Sequence, residues 1–249
     1  MFDRKKYKNF AVRQLKGRWA VVVFMTLLIQ VVMMIFAIPN FYRMFNKESF
    51  HILLGYNGLD INEFYTLYND ATSTTWISTI IRLIVSSIFT MAAIGVYLKM
   101  SHSPAKISLK VFFEGLNNWW RAALAGIWRF LWVFLWSLLF IIPGIVKSLA
   151  YSQMFYLINE YKDMSVTRSM KISKIITNGH KGDLFVMYLS FIGWEILATL
   201  TFGIGYLWLV PYINMSLVNA YHSMLKEALE ESVKTTAVVF TILIGATAF

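Results

Sequence analysis

No cysteine occurs in the chain, which excludes disulfides, thiolate zinc sites, iron–sulfur clusters and thiol nucleophiles. Charge is scarce too: Asp, Glu, Lys and Arg make up 14% of the 249 residues, where a soluble domain carries about a quarter. Acidic groups are the scarcer half, 13 against 23 basic. No pair of carboxylates stands at a spacing suited to acid–base catalysis, and neither a P-loop nor a Rossmann glycine fingerprint is present. Ser103-x-x-Lys106 and Ser223-x-x-Lys226 match a Ser–Lys nucleophile pattern without its supporting motifs. His51, His102, His180 and His222 share no metal-ligand spacing with one another or with carboxylates. No catalytic residue, metal or cofactor is therefore expected, and the chain is read as a non-enzyme.

What the chain does contain is apolar. Hydrophobic residues are 58% of the total, aromatics 17%, and mean hydropathy is +0.58. This composition indicates an integral membrane protein. The net charge of +10 invites a nucleic-acid reading, but the lysines and arginines stand beside apolar spans. That placement points to topology and anionic phospholipid, with no nucleic-acid partner.

Residues 3–18 begin with Asp3 as a candidate cap and carry an apolar stripe, Tyr7, Phe10, Ala11 and Leu15, among seven basic residues. They read as an interfacial amphipathic helix or as a solvated basic flank. Trp19–Ile38 is too long for a signal peptide core and reads as a retained first span. Residues 40–75 form the one long polar loop, net negative, before a second span at about Trp76–Leu98. Ser103-Pro104 signals a helix start in the basic segment 99–121.

From Ala122 to Ile158 the chain is almost unbroken apolar sequence. As one helix it would measure about 55 Å, against a bilayer core of about 30 Å. Pro143-Gly144 is the expected turn, giving spans three and four as a hairpin. Ser165 caps a basic helix whose Val166, Met170, Ser173 and Ile176 share one face. Leu184 to Leu225 is again too long for one crossing, and Gly203-Ile-Gly205 is the expected second turn. The fold predicted is all-α, a polytopic membrane bundle of six transmembrane helices in three hairpins with amphipathic cytoplasmic helices. Residues 1–232 form one membrane domain with units 3–98, 99–160 and 161–226. The apolar tail 233–249 reads as an interfacial segment, a short seventh span or a non-native junction.

Segments 1–18, 99–121, 159–183 and 226–234 hold seven, four, five and two basic residues. Six spans place all four on one side. By the positive-inside rule that side is the cytoplasm, in the cytoplasmic membrane, with the N-terminus inside. The three units share an order of parts: basic helix, glycine (Gly17, Gly115, Gly179), rising span, turn, falling span.

Three motif groups carry a family resemblance. They are Trp136-Ser-Leu-Leu-Phe-Ile-Ile-Pro143-Gly144-Ile145 with Ala150-Tyr151; Ser169 with Gly179-His180-Lys181; and Leu189-Ser-Phe-Ile-Gly193-Trp194 with Thr201-Phe-Gly203-Ile-Gly205 and Pro211-Tyr212. In this order they resemble the bacterial multi-pass membrane family of domain of unknown function 975 (DUF975). A looser likeness exists to the membrane domain of glycerophosphodiester phosphodiesterases, whose catalytic domain has no counterpart here. The resemblance implies a six-span bacterial membrane protein and imports no catalytic residues.

Four charges fall within the expected spans: Arg82, Arg129, Lys147 and Glu195. The basic three can snorkel to headgroups. Glu195 is too deep and too short to do so, and is expected to face the bundle and pair with Arg82 or Lys147, or else to stay neutral and hydrogen-bonded. Trp128, Trp132 and Trp136 make an aromatic stripe, read as packing or lipid contact with ligand stacking as the alternative. Arg168, Lys171, Lys174 and Lys181 form the expected face for anionic phospholipid or a partner, a membrane protein or a second copy of the chain. The function expected is that of a membrane scaffold or accessory protein, with transport of a small molecule or lipid through a buried Glu195 as the alternative.

Overall fold

The computed structural model describes residues 2–36 and 61–246, with side chains described over 2–36 and 78–233. Among the described residues all regular structure is helical. The elements are α1 (Arg4–Leu15), α2 (Trp19–Ile35), α3 (Ile61–His102), α4 (Lys110–Leu116), α5 (Trp119–Leu139) and α6 (Ile141–Ala150). They continue with α7 (Met154–Glu160), α8 (Val166–Ile176), α9 (Lys181–Leu189), α10 (Ile192–Leu200) and α11 (Tyr206–Ala246). The expected end of span one at Pro39, and most of the acidic loop with Arg43, Lys47, Glu48 and His51, lie outside the described residues.

Among the described residues four stretches are long and apolar enough to cross a membrane: Ser78–His102, Trp119–Leu139, Ile141–Glu160 and Lys181–Leu200. A fifth follows if α1 and α2, bent by 99°, are taken as one span. The all-α membrane bundle stands. Local chemistry explains its start: the Asp3 carboxylate accepts from the Lys6 amide at 3.0 Å, and Tyr7, Ala11 and Leu15 are buried while Phe10 is exposed. Gly17, at φ +74°, supplies the left-handed residue that turns the chain into α2.

Several boundaries differ from expectation. Helix α3 begins at Ile61, inside the segment expected as polar loop. No proline or glycine occurs between Ile61 and Ile94, so nothing in the backbone stops the helix. Helix α4 begins at Lys110, not after Pro104. Its entry is made by the Ser108 hydroxyl accepting from the Lys110 amide at 3.3 Å, while Ser103 closes its own turn onto the Ala105 amide.

The central hairpin also turns elsewhere. Phe140 is the extended residue (φ −159°, ψ 154°), three positions before Pro143. Pro143 then sits in the first turn of α6, where a helix has no use for the missing amide hydrogen. Gly144 is a contact, not a corner: a Cβ there would lie 2.1 Å from Ser137 Oγ on α5. The second turn is where it was expected, at residues 201–205, with Phe202 at φ +52°, Gly203 at φ +86° and Thr201 Oγ1 accepting from the Gly205 amide at 2.9 Å. Of the three glycines aligned in the repeat, Gly17 and Gly179 make turns, whereas Gly115 lies inside α4 with its Cβ position 3.0 Å from Ala92 Cα.

The span Ile141–Glu160 is broken at Tyr151–Gln153, between α6 and α7. A break within an apolar interior leaves backbone groups without partners unless side chains reach them. Helix α8 supplies those side chains. Ser173 Oγ donates to the Ala150 carbonyl at 2.8 Å and accepts from the Gln153 amide at 3.1 Å, and Thr177 Oγ1 lies 3.4 Å from the same carbonyl. Ser169, Met170, Ser173 and Ile176 are accordingly buried, with Val166 only half-buried.

Helix α11 packs against α1, α2, α3, α8 and α10. Its first half occupies the place of the expected sixth span but is not among the stretches apolar enough to face lipid. The reason is that protein surrounds it. Asn219 Nδ2 donates to Gln14 Oε1 at 2.8 Å and to the Tyr7 carbonyl at 3.3 Å, and Tyr7 donates to Ser223 Oγ at 2.8 Å. The helix runs on without a break to Ala246, so up to that residue the apolar tail continues α11.

Candidate functional site at the basic end

Direct contacts gather the four basic segments at one end of the bundle. Arg18 donates to the carbonyls of Ser103 (2.8 Å) and Met100 (3.3 Å), tying the first segment to the second. Arg121 donates to the carbonyls of Lys162 and Met164, tying the second to the third. His180 stands 3.6 Å from Glu227 and its ring lies 5.9 Å from that of Phe2, which brings in the fourth and closes back on the first.

At this end Arg168, Lys171 and Lys174 are exposed on α8 and make no ion pair among the described residues, while the opposite face of the same helix is buried. Lys181 is half-buried at the start of α9. On α1, Arg4, Lys5 and Lys6 are exposed as well. Lys8 reaches inward: its Nζ donates to Ser190 Oγ at 2.8 Å and stands 4.1 Å from the Phe191 ring centroid. Partial burial, and then the neighbouring Arg4, hold its pKa below the ordinary lysine value. Beside α1 an apolar groove of about 500 Å³ runs between Val12, Trp19, Trp194, Leu197, Trp208 and Tyr212.

The intramembrane charges do not come together. Glu195 is exposed, and its carboxylate has no cation among the described residues. The expected pairing with Arg82 or Lys147 is corrected: α10 packs chiefly on α11, whereas Arg82 is exposed on α3 and Lys147 lies on α6. Lys147 places its Nζ 4.2 Å from the Trp136 ring centroid, a cation–π contact. The aromatic stripe thus engages itself and a lysine, with Trp128 and Trp132 edge to face at 6.0 Å. Arg129 is half-buried, its guanidinium 6.0 Å from the Phe155 ring, in a cavity of about 280 Å³ that Ser86, Ser87, Thr90 and Ser148 also line.

The fold assembles one constellation that sequence spacing conceals. His102, Glu160 and His222, from α3, α7 and α11, present one ligand atom each within 4.8 Å of one another. They stand far apart in sequence, so no motif spacing could have linked them. The weak available signal was that His102 and Glu160 each close a helix in a basic segment.

Residues 139–228 match the family described as protein of unknown function (DUF975). The match covers only part of the chain, so the likeness to DUF975 holds over these residues. No curated protein and no solved structure matches it. The DUF975 segment spans α6 to the middle of α11, so it includes the broken span, the α8 face that repairs it, Glu160 and His222. Arg82, Arg129 and His102 lie before it.

Proposed function

We propose that this DUF975 chain is a non-enzymatic accessory protein of the bacterial cytoplasmic membrane, engaging anionic phospholipid through its basic end, which faces the cytoplasm. The observation that carries the reading is α8: Arg168, Lys171 and Lys174 are exposed, with no ion pair among the described residues, on a helix whose other face is locked into the bundle by Ser173. Three cations on a fixed helix present a preset headgroup surface, which avoids the entropy of ordering a flexible tail. The apolar groove beside basic α1 supports the same reading, because acyl chain and headgroup would find complementary surfaces side by side.

Each cation near an anionic membrane surface is worth about 1 kcal/mol. Replacing all three by glutamine should therefore lower retention of phosphatidylglycerol, relative to phosphatidylcholine, roughly tenfold to a hundredfold. The measurement is native mass spectrometry of the full chain extracted from mixed-lipid nanodiscs. Equal retention by the triple variant and the parent would overturn the proposal. Transport is the second reading, and the Arg129 cavity favours it more than Glu195 does. An arginine among hydroxyls, with no carboxylate partner among the described residues, suits a small anion. Anion flux into proteoliposomes, lost in Arg129→Gln, would favour that reading.

A further inference from the structure

We propose that His102, Glu160 and His222 form a binding site for a divalent first-row transition ion of the Zn²⁺ type, placed where α3, α7 and α11 meet. His102 is the last residue of α3 and Glu160 the last of α7, so an ion there would tie two helix ends to α11. His102 Nε2 lies 3.7 Å from Glu160 Oε1, and the two imidazole centroids are 4.8 Å apart at 85°. A tetrahedral ion with bonds of about 2.0–2.2 Å keeps its ligands about 3.3 Å from each other. The three groups need only side-chain rotation to reach that separation.

The surrounding hydrogen bonds leave the required lone pairs free. His102 Nδ1 is 2.8 Å from the Leu98 carbonyl, which can only accept, so Nδ1 carries a proton and Nε2 is the nitrogen left facing Glu160. Ser101 gives its own hydroxyl proton to the Leu98 carbonyl at 2.7 Å. In its 2.8 Å contact with His222 Nε2 it therefore accepts, which in the neutral ring leaves the lone pair on Nδ1 of His222. Tyr221 donates to Glu160 Oε2 and leaves Oε1 on the histidine side. Tyr221 is itself fully buried and stacked on Tyr156 at 5.1 Å, so the carboxylate is held by a rigid neighbour. Ligands oriented by second partners in this way distinguish a metal site from a chance meeting of polar side chains.

Two imidazoles and one carboxylate suit Zn²⁺ and its neighbours in the series, and exclude the all-oxygen preference of Ca²⁺ and Mg²⁺. The His102 side chain is 56% exposed, so an ion has access from water and keeps a fourth position for water or a further ligand.

The test uses the untagged full chain in detergent, stripped with chelator. Zn²⁺ is titrated against a chromophoric competitor, and Co²⁺ serves as a spectroscopic probe. The expected result is one tight equivalent and a tetrahedral Co²⁺ spectrum. Affinity should fall a hundredfold or more in His102→Ala and His222→Ala, and about tenfold in Tyr221→Phe, which removes only the orienting bond. Glu160→Gln still accepts from Tyr221, and so separates lost ligation from lost folding. Zn²⁺ should raise the melting temperature of the parent and not that of Glu160→Gln. Absence of a stoichiometric ion in the parent overturns the proposal. So does unchanged affinity in the folded Glu160→Gln variant. If the alanine variants aggregate, these two arms still decide.

Discussion

The stretches Ile141–Glu160 and Lys181–Leu200 are alike in length and composition, and each is interrupted near its middle, yet the first is mostly buried and the second mostly exposed. At the first break the exposed backbone groups of Ala150 and Gln153 are met by Ser173, a short side chain that is itself fully buried. At the second the Ser190 carbonyl is met at 3.4 Å by Lys8, a long and partly exposed one. The same lesion in a helix is thus repaired rigidly in one place and loosely in the other. The rigid repair makes α6–α7 part of the interior, with α8 as its support. The loose repair leaves α9–α10 as an outer wall, and Glu195 goes with it.

The sharpest way to break this comparison is Ser173→Ala, which removes only the hydroxyl and with it both hydrogen bonds. Two buried backbone groups lose a partner at about 1–3 kcal/mol each, so a loss of about 2–6 kcal/mol is expected, read from thermal unfolding in detergent. A cost below about 1 kcal/mol would mean that α8 does not support the break.

Next come the two glycines. Gly144→Ala drives a Cβ to 2.1 Å from Ser137 Oγ, and overpacking of this kind costs about 1–3 kcal/mol. Ser137→Ala in the same chain should recover part of that loss. Gly193, in the outer wall, has open space where a Cβ would go. Gly193→Ala should therefore stabilise by up to about 1 kcal/mol through helix propensity alone. Equal effects at both positions would contradict the difference in packing.

The smallest effect belongs to Lys8→Met. It removes one partly exposed hydrogen-bonding cation and a cation–π contact, and should cost under about 1 kcal/mol in the same assay. A larger loss would place the second break on the same footing as the first.

Much of the architecture was legible from local rules. Asp3 and Ser165 cap the helices they were expected to cap, the latter accepting from the Arg168 amide at 3.4 Å. Gly203 takes positive φ in the turn expected there, and Gly17 and Gly179 do so where each separates a basic helix from the next span. Each of these depends on a residue and its immediate neighbours, which sequence order states directly. Pro143-Gly144 shows the limit of such rules. Proline and glycine do mark discontinuity, but the same pair serves a first helical turn and a close helix contact, and only the position of Ser137 distinguishes them.

By itself the sequence determined that this is a helical membrane protein, that its cations collect in four segments, and that it carries the DUF975 motifs. Hydropathy and charge scarcity follow from composition, and no tertiary detail could reverse them. The tertiary structure alone decided which apolar faces meet protein and which face outward, because lipid tails are as apolar as leucine and burial in either reads the same in a sequence. For that reason Glu195 appeared as an interior charge and lies outside, and the first half of α11 reads as one span among six and packs against five other helices. It also explains why His102, Glu160 and His222, on three helices with no common motif, become neighbours only when the ends of α3 and α7 pack against α11.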